Sequence, residues 1–226
     1  MKRVVKLEKE SGFGAIFRPG VRRSTSLSTL LLCGVQSAGY SIPSWMPTLL
    51  IQTKHMSPQE VVATTIVVRV GAFFGYAGCA YICDRFGRRP CLIGFCLANG
   101  CLTAFYTMFP SSQWLFVALG FPIGFAMNGI FAAIGPYLSE QFPTNVRATG
   151  MGFTYNVGKA VGATTVTLVG ITAGHTSLPY SIEIFCFLGY FLALVALLFM
   201  PETRGRHLDE PIVQESLVAN TGRVPT

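Results

Sequence analysis

Apolar residues in this chain gather into blocks, each about the ~20 residues that a helix needs to cross ~30 Å of hydrocarbon. Six such blocks stand at about 27–51, 59–83, 90–109, 114–137, 148–173 and 178–200, separated by short polar gaps. The pattern predicts six transmembrane helices. The second has a clear start: Ser57 is a helix-capping residue, Pro58 suits the first helical position and Glu60 completes a capping box. Near the end of the first, Pro43 and Pro47 flank Trp45. The prolines are expected to bend or break that helix, and the indole suits the outer membrane interface. Glycines spaced four apart (Gly71 and Gly75, Gly120 and Gly124, Gly158 and Gly162) let helix backbones approach, which predicts a packed bundle. Residues 1–23 read as a flexible cytoplasmic lead-in, 24–203 as the six-helix unit and 204–226 as a polar cytoplasmic tail.

Composition excludes a soluble domain. The chain is 51% hydrophobic and 12% charged, with mean hydropathy +0.50, where soluble domains carry about 25% charged residues. The net charge of +7 is distributed as a topology signal rather than as a nucleic-acid surface. Seven cations precede the first span, Arg85, Arg88 and Arg89 fill the second gap, Arg147 the fourth, and Arg204, Arg206 and Arg223 follow the last span. The opposite gaps hold only Lys54, so both termini are expected on the cytoplasmic side of the plasma (inner) membrane. The lipid bilayer is the expected partner, and nucleic acid is not. His55, His175 and His207 are scattered, no Ser-His-Asp spacing appears and no phosphate-cradling glycine loop is visible. No enzymatic activity or cofactor is expected. Six of the seven cysteines fall in spans and Cys91 opens the third; without a Cys-x-x-Cys pair they read as small packing residues, with no metal site.

The tight basic turn Asp84-Arg85-Phe86-Gly87-Arg88-Arg89-Pro90 resembles the signature loop of the major facilitator superfamily of transporters. Two more stretches match the carboxy-terminal half of that family, in its sugar-porter and organic-ion branch. They are Tyr137 to Gly150, which holds Glu140, Pro143 and Arg147, and Pro201-Glu202-Thr203-Arg204-Gly205-Arg206. Trp45-Met46-Pro47 also looks like the end of the family's seventh helix. The resemblance covers about residues 24–210. It implies an all-α membrane protein whose six transmembrane helices form one half of a major facilitator fold, a 3+3 inverted repeat. Such transporters have about twelve helices in two halves, so a separate amino-terminal six-helix half, or another copy, is the implied partner. The resemblance also implies a cytoplasmic gating network of Asp84, Arg85, Arg88, Arg89, Glu140, Arg147, Glu202 and Arg204, latching helix ends while the cavity faces outward. Exposed pairs contribute about 0–1 kcal/mol each, so only a network biases the two states usefully.

Two cations fall inside spans. Arg69 lies about 16 Å in from the outer surface and Lys159 about 18 Å in from the inner one, at ~1.5 Å per residue, so both reach the midplane. A charge there costs about 2.5–3.5 kcal/mol, and no intramembrane acid is an obvious partner. Two uncompensated cations at one depth point to an anionic guest, and the pattern resembles organic-anion transporters with cations in their eighth and eleventh helices. Lys159 could instead snorkel, or either could pair with an acid on the other half. Helical spacing places Thr65, Phe73 and Tyr76 near the face of Arg69 and Tyr155 one turn from Lys159. Gln36 and Tyr40 share a face of the first span and Asn128 is mid-span in the fourth. Together these would line a cavity for a small organic acid (aromatic, sugar or carboxylic), moved by alternating access and coupled to protons as the family implies. Packing alone also accounts for the aromatic residues. The alternatives are a neutral-sugar transporter half, which the Pro201–Arg206 ending resembles, and a truncated, non-transporting membrane protein.

Overall fold

A computed structural model describes residues 13–108 and 112–203, and among them every regular element is helical. Six long helices follow one another: α1 (Arg22–Thr48), α2 (Pro58–Phe86), α3 (Arg88–Met108), α4 (Gln113–Gln141), α5 (Arg147–Ala173) and α6 (Leu178–Phe199). Six helices are found at the expected blocks, with α1 starting earlier and α4 running longer than their apolar blocks. Four helices, α2, α3, α4 and α6, are long and apolar enough to cross a membrane by length and composition. A bilayer supplies no hydrogen bonds, so polar side chains in such helices must be satisfied locally. Thr64, Thr65, Thr103, Thr164 and Thr165 accordingly each donate to a carbonyl one turn back, at 2.8–2.9 Å.

Local signals explain most of the boundaries. At the start of α2, Ser57 Oγ accepts from the Glu60 backbone N–H, and the Glu60 carboxylate accepts from Ser57 N at 2.8 Å. This is the capping box expected from the sequence. The α2–α3 turn is a single residue, Gly87, at φ 98°, a backbone conformation that strains any residue with a Cβ.

Of the two outcomes expected at the prolines of α1, a break does not occur. The helix runs through Pro43 and Pro47 and then widens into a π turn at Leu49–Thr53. Each proline removes one ladder hydrogen bond, and packing holds the rest of the helix in place. Part of that support is Trp45, whose Nε1 donates to the Val166 carbonyl of α5 at 3.0 Å. The described part of the lead-in is docked rather than loose. Phe13–Phe17 forms a 3₁₀ turn whose Ile16 is buried with Val146, and the Phe13 and Phe17 rings meet Phe153 edge-on.

The packing obeys an internal symmetry. The main contacts among α1–α3 and α4–α6 have counterparts when the two triplets are exchanged. The pair α2–α4 corresponds to α5–α1, α1–α6 to α4–α3, and α2–α3 to α5–α6. Three crossings per triplet invert the second relative to the first, as in a half major facilitator fold. The equivalent pairs α2–α4 and α5–α1 close through glycine. A Cβ at Gly71 or Gly124 would collide with the backbone carbonyl of Phe121 or Val68, and one at Gly158 would meet Leu32. Lipid gives no hydrophobic drive between helices, so such close approach supplies the packing energy.

Candidate functional site

Arg69 and Lys159 occupy the symmetry-related helices α2 and α5. On α2, Val61, Thr64, Val68, Gly71, Gly75 and Cys79 form the buried stripe, facing α4. Arg69 lies off that stripe and is exposed, with Phe73 and Tyr76 beside it. On α5, Gly150, Thr154, Gly158, Gly162 and Thr165 are buried, and Gly158 and Gly162 face α1. Lys159 is again off the stripe and exposed. Neither cation has a hydrogen-bond or ion-pair partner among the described residues. Three acids of the helices are engaged elsewhere, Glu60 in its capping box, Glu140 with Arg88, and Glu183 beside the Thr107 hydroxyl, and Asp84 lies at the far end of α2, fifteen residues from Arg69.

Residues flanking the two cations come near one another. Tyr76, two turns from Arg69, lies within electrostatic range of Tyr155, one turn from Lys159. Tyr40 is brought to α5 as well, its ring against Gly162, three residues past Lys159. The Gln36 carbonyl meets the same glycine, while its side chain is buried with Oε1 unpartnered. Asn128 is half-buried and donates to its own helix at Gly124 O, 3.0 Å. That glycine abuts the Val68 carbonyl, adjacent in sequence to Arg69. Phe73 is the most exposed of the set and meets Phe74 edge-on at 5.6 Å. Of the expected lining residues, Phe73 and the two cations are exposed, Tyr40, Asn128 and Tyr155 are half-buried, and Gln36 is buried.

The cytoplasmic charges are arranged differently. Arg88 Nη2 pairs with Glu140 Oε1 at 2.9 Å. Glu202 accepts from the backbone N–H groups of Arg88 and Arg89 at 3.0 and 3.1 Å, placing a carboxylate at the positive end of α3. Arg89 reaches back to the Leu197 and Leu198 carbonyls at 2.8 and 3.0 Å, placing a cation at the negative end of α6. Arg147 binds within its own turn, to Phe142 O and Thr144 Oγ1. Asp84 and Arg85 are exposed and have no partner among the described residues; Arg204 lies outside them. Sequence reasoning missed Arg23, which donates to Phe199 O at 3.4 Å, and Tyr137, whose hydroxyl donates to Pro201 O at 2.9 Å. From sequence, Arg23 counts only as one of the cations before the first span and Tyr137 only as the start of a family-like stretch, until α6 and the residues after it are placed beside them.

Comparison with known proteins agrees with this architecture. The family model for the sugar (and other) transporters matches residues 2–212. A protein named "Probable 4-methylmuconolactone transporter" from Cupriavidus pinatubonensis is 40% identical over 195 residues, covering 86% of this chain and 45% of its own length. A cis,cis-muconate transport protein from Acinetobacter baylyi is 26% identical over 203 residues, 86% of this chain and 47% of its own. A niacin transporter of the same organism is 27% identical over 193 residues, 83% of this chain and 42% of its own. The chain thus spans about half the length of these curated relatives. Helix order, inverted packing symmetry and the family match agree: the chain belongs to the sugar (and other) transporter family of the major facilitator superfamily.

Proposed function

We propose that this chain is the carboxy-terminal half of a secondary transporter that moves a small organic acid across the plasma (inner) membrane by alternating access, coupled to protons, with both termini cytoplasmic. The observation that carries the reading is the pair of unpartnered, exposed cations on α2 and α5. Two positive charges at that depth, each costing about 2.5–3.5 kcal/mol, are retained where an anion repays the cost. Gln36, Tyr40, Phe73, Asn128 and Tyr155 orient the guest by hydrogen bonds and ring contacts. Asp84 and Arg85, exposed at the inner end of α2, serve the gating network by meeting the partner half, while Arg88, Arg89, Glu140, Arg147, Glu202 and Arg204 hold the helix ends of this one. Relatives named for a muconolactone, for muconate and for niacin support an acid or acid-derived cargo with a flat or conjugated skeleton.

The test is uptake of radiolabelled muconate and nicotinate by cells expressing this chain together with a six-helix amino-terminal half. Accumulation that is abolished by a protonophore and by Arg69→Ala, at unchanged protein level, is the expected result. Uptake of a neutral hexose that survives Arg69→Ala and Lys159→Ala would overturn the anion reading. So would the absence of any uptake from an assembled, membrane-inserted complex.

A further inference from the structure

Three cysteines ungrouped by their sequence spacing converge where α2 turns into α3. Cys79 and Cys83 are one turn apart on α2, and the chain reverses at Gly87 to bring Cys91, in the first turn of α3, alongside them. Cys79 Sγ lies 3.6 Å from Cys83 Sγ and 3.7 Å from Cys91 Sγ, and all three sulfurs lie within 4.8 Å of one another. They are free thiols, and their residues are 0%, 5% and 4% exposed. A metal bound to three sulfurs at about 2.3 Å spaces those sulfurs by about 4 Å in a trigonal plane. The cluster already has nearly that spacing.

We propose that Cys79, Cys83 and Cys91 form a three-thiolate site for a soft monovalent cation, Cu(I) or Ag(I). The donor set selects the metal. Among the described residues no fourth histidine, cysteine or carboxylate joins the group, whereas structural zinc sites almost always take four ligands. Cu(I) is favoured by thiolates and accepts three of them. On binding, three S–H bonds break, three metal–sulfur bonds form and three protons leave to water; copper remains Cu(I) and no electron is transferred. The resulting negative charge is offset by the Arg88 guanidinium, within electrostatic range of Cys83, and by the positive end of α3. The Glu202 carboxylate also faces Cys91, but its oxygens are held by the Arg88 and Arg89 backbone N–H groups. A route in exists: Cys91 borders an apolar cleft of about 520 Å³ between α2, α3 and α4, lined also by Ile82, Phe86, Pro90, Gly94 and Phe125.

The experiment is a Cu(I) titration of the full chain in detergent against a competing Cu(I) chelator. The expected result is one Cu(I) per chain, with affinity reduced at least about 100-fold in Cys79→Ser or Cys91→Ser and unchanged in Cys101→Ser or Cys186→Ser. Copper X-ray absorption on the unmutated chain gives a second reading that needs no variant. Three sulfurs at about 2.3 Å are expected. Retained affinity in Cys79→Ser, an equal loss in Cys101→Ser, failure to compete with the chelator, or a shell of nitrogen and oxygen would each overturn the proposal.

Discussion

At the cytoplasmic end, Glu202 accepts from two backbone N–H groups and Arg88 meets Glu140 at 2.9 Å; halfway along α2 and α5, Arg69 and Lys159 meet no acid among the described residues. The first group lies where water is near and charges are cheap, yet it is paired. The second lies midway along two helices, on exposed faces, and is not. In the proposed membrane placement this order is the reverse of what folding alone would select, because an unpaired charge costs more at mid-bilayer than near water. The contrast teaches that the inner-end charges tie helix ends together within this unit, whereas under the proposed function the mid-helix pair answers a guest outside it.

The largest expected effect breaks the mid-helix side of the contrast. Charge-assisted bonds contribute about 1.5–3 kcal/mol, so Lys159→Ala should lower transport efficiency by about 10- to 100-fold, measured as initial uptake rate against substrate concentration. Its melting temperature in detergent should not fall, because Lys159 has no partner to lose. Glu202→Gln comes next and acts on the other side. Weakening the carboxylate at the α3 N-terminus should lower unfolding free energy by about 1–2 kcal/mol, read from detergent or denaturant melts, with no change in substrate preference. A smaller loss, about 1 kcal/mol, is expected for Arg88→Gln or Glu140→Gln. The double variant should be no worse than either single one, because the pair is lost once. The smallest effect belongs to Asp84→Asn: within about 0.5 kcal/mol for this six-helix unit, with slowed transport appearing only when the other half is present. A stability loss as large as that of Glu202→Gln would place Asp84 among the internal ties instead.

Legibility from sequence differed between the same two regions. The spans were readable because each helix must satisfy its own backbone in lipid, which makes hydropathy a local signal. The Ser57–Glu60 cap was readable because its partners are three residues apart. Whether Pro43 and Pro47 break α1 was not readable, since their penalty is local while the Trp45 bond to Val166 that helps hold the helix crosses to α5. The eight inner-end charges could be placed at helix ends, but not paired. That Glu202 caps α3 and Arg89 caps α6 depends on α3 and α6 lying side by side. The thiol cluster was missed for a related reason: Cys79 and Cys83 follow helical spacing, but Cys91 joins them only through the reversal at Gly87.

Sequence alone determined the number of helices and their order, because rise per residue and the hydrocarbon thickness are constants that need no neighbour. Only the tertiary structure decided which charges are answered and which are left open. A partner in space is set by lateral packing between helices, governed here by glycine contacts such as Gly71 on Phe121 and Gly158 on Leu32, and no count along the chain contains it.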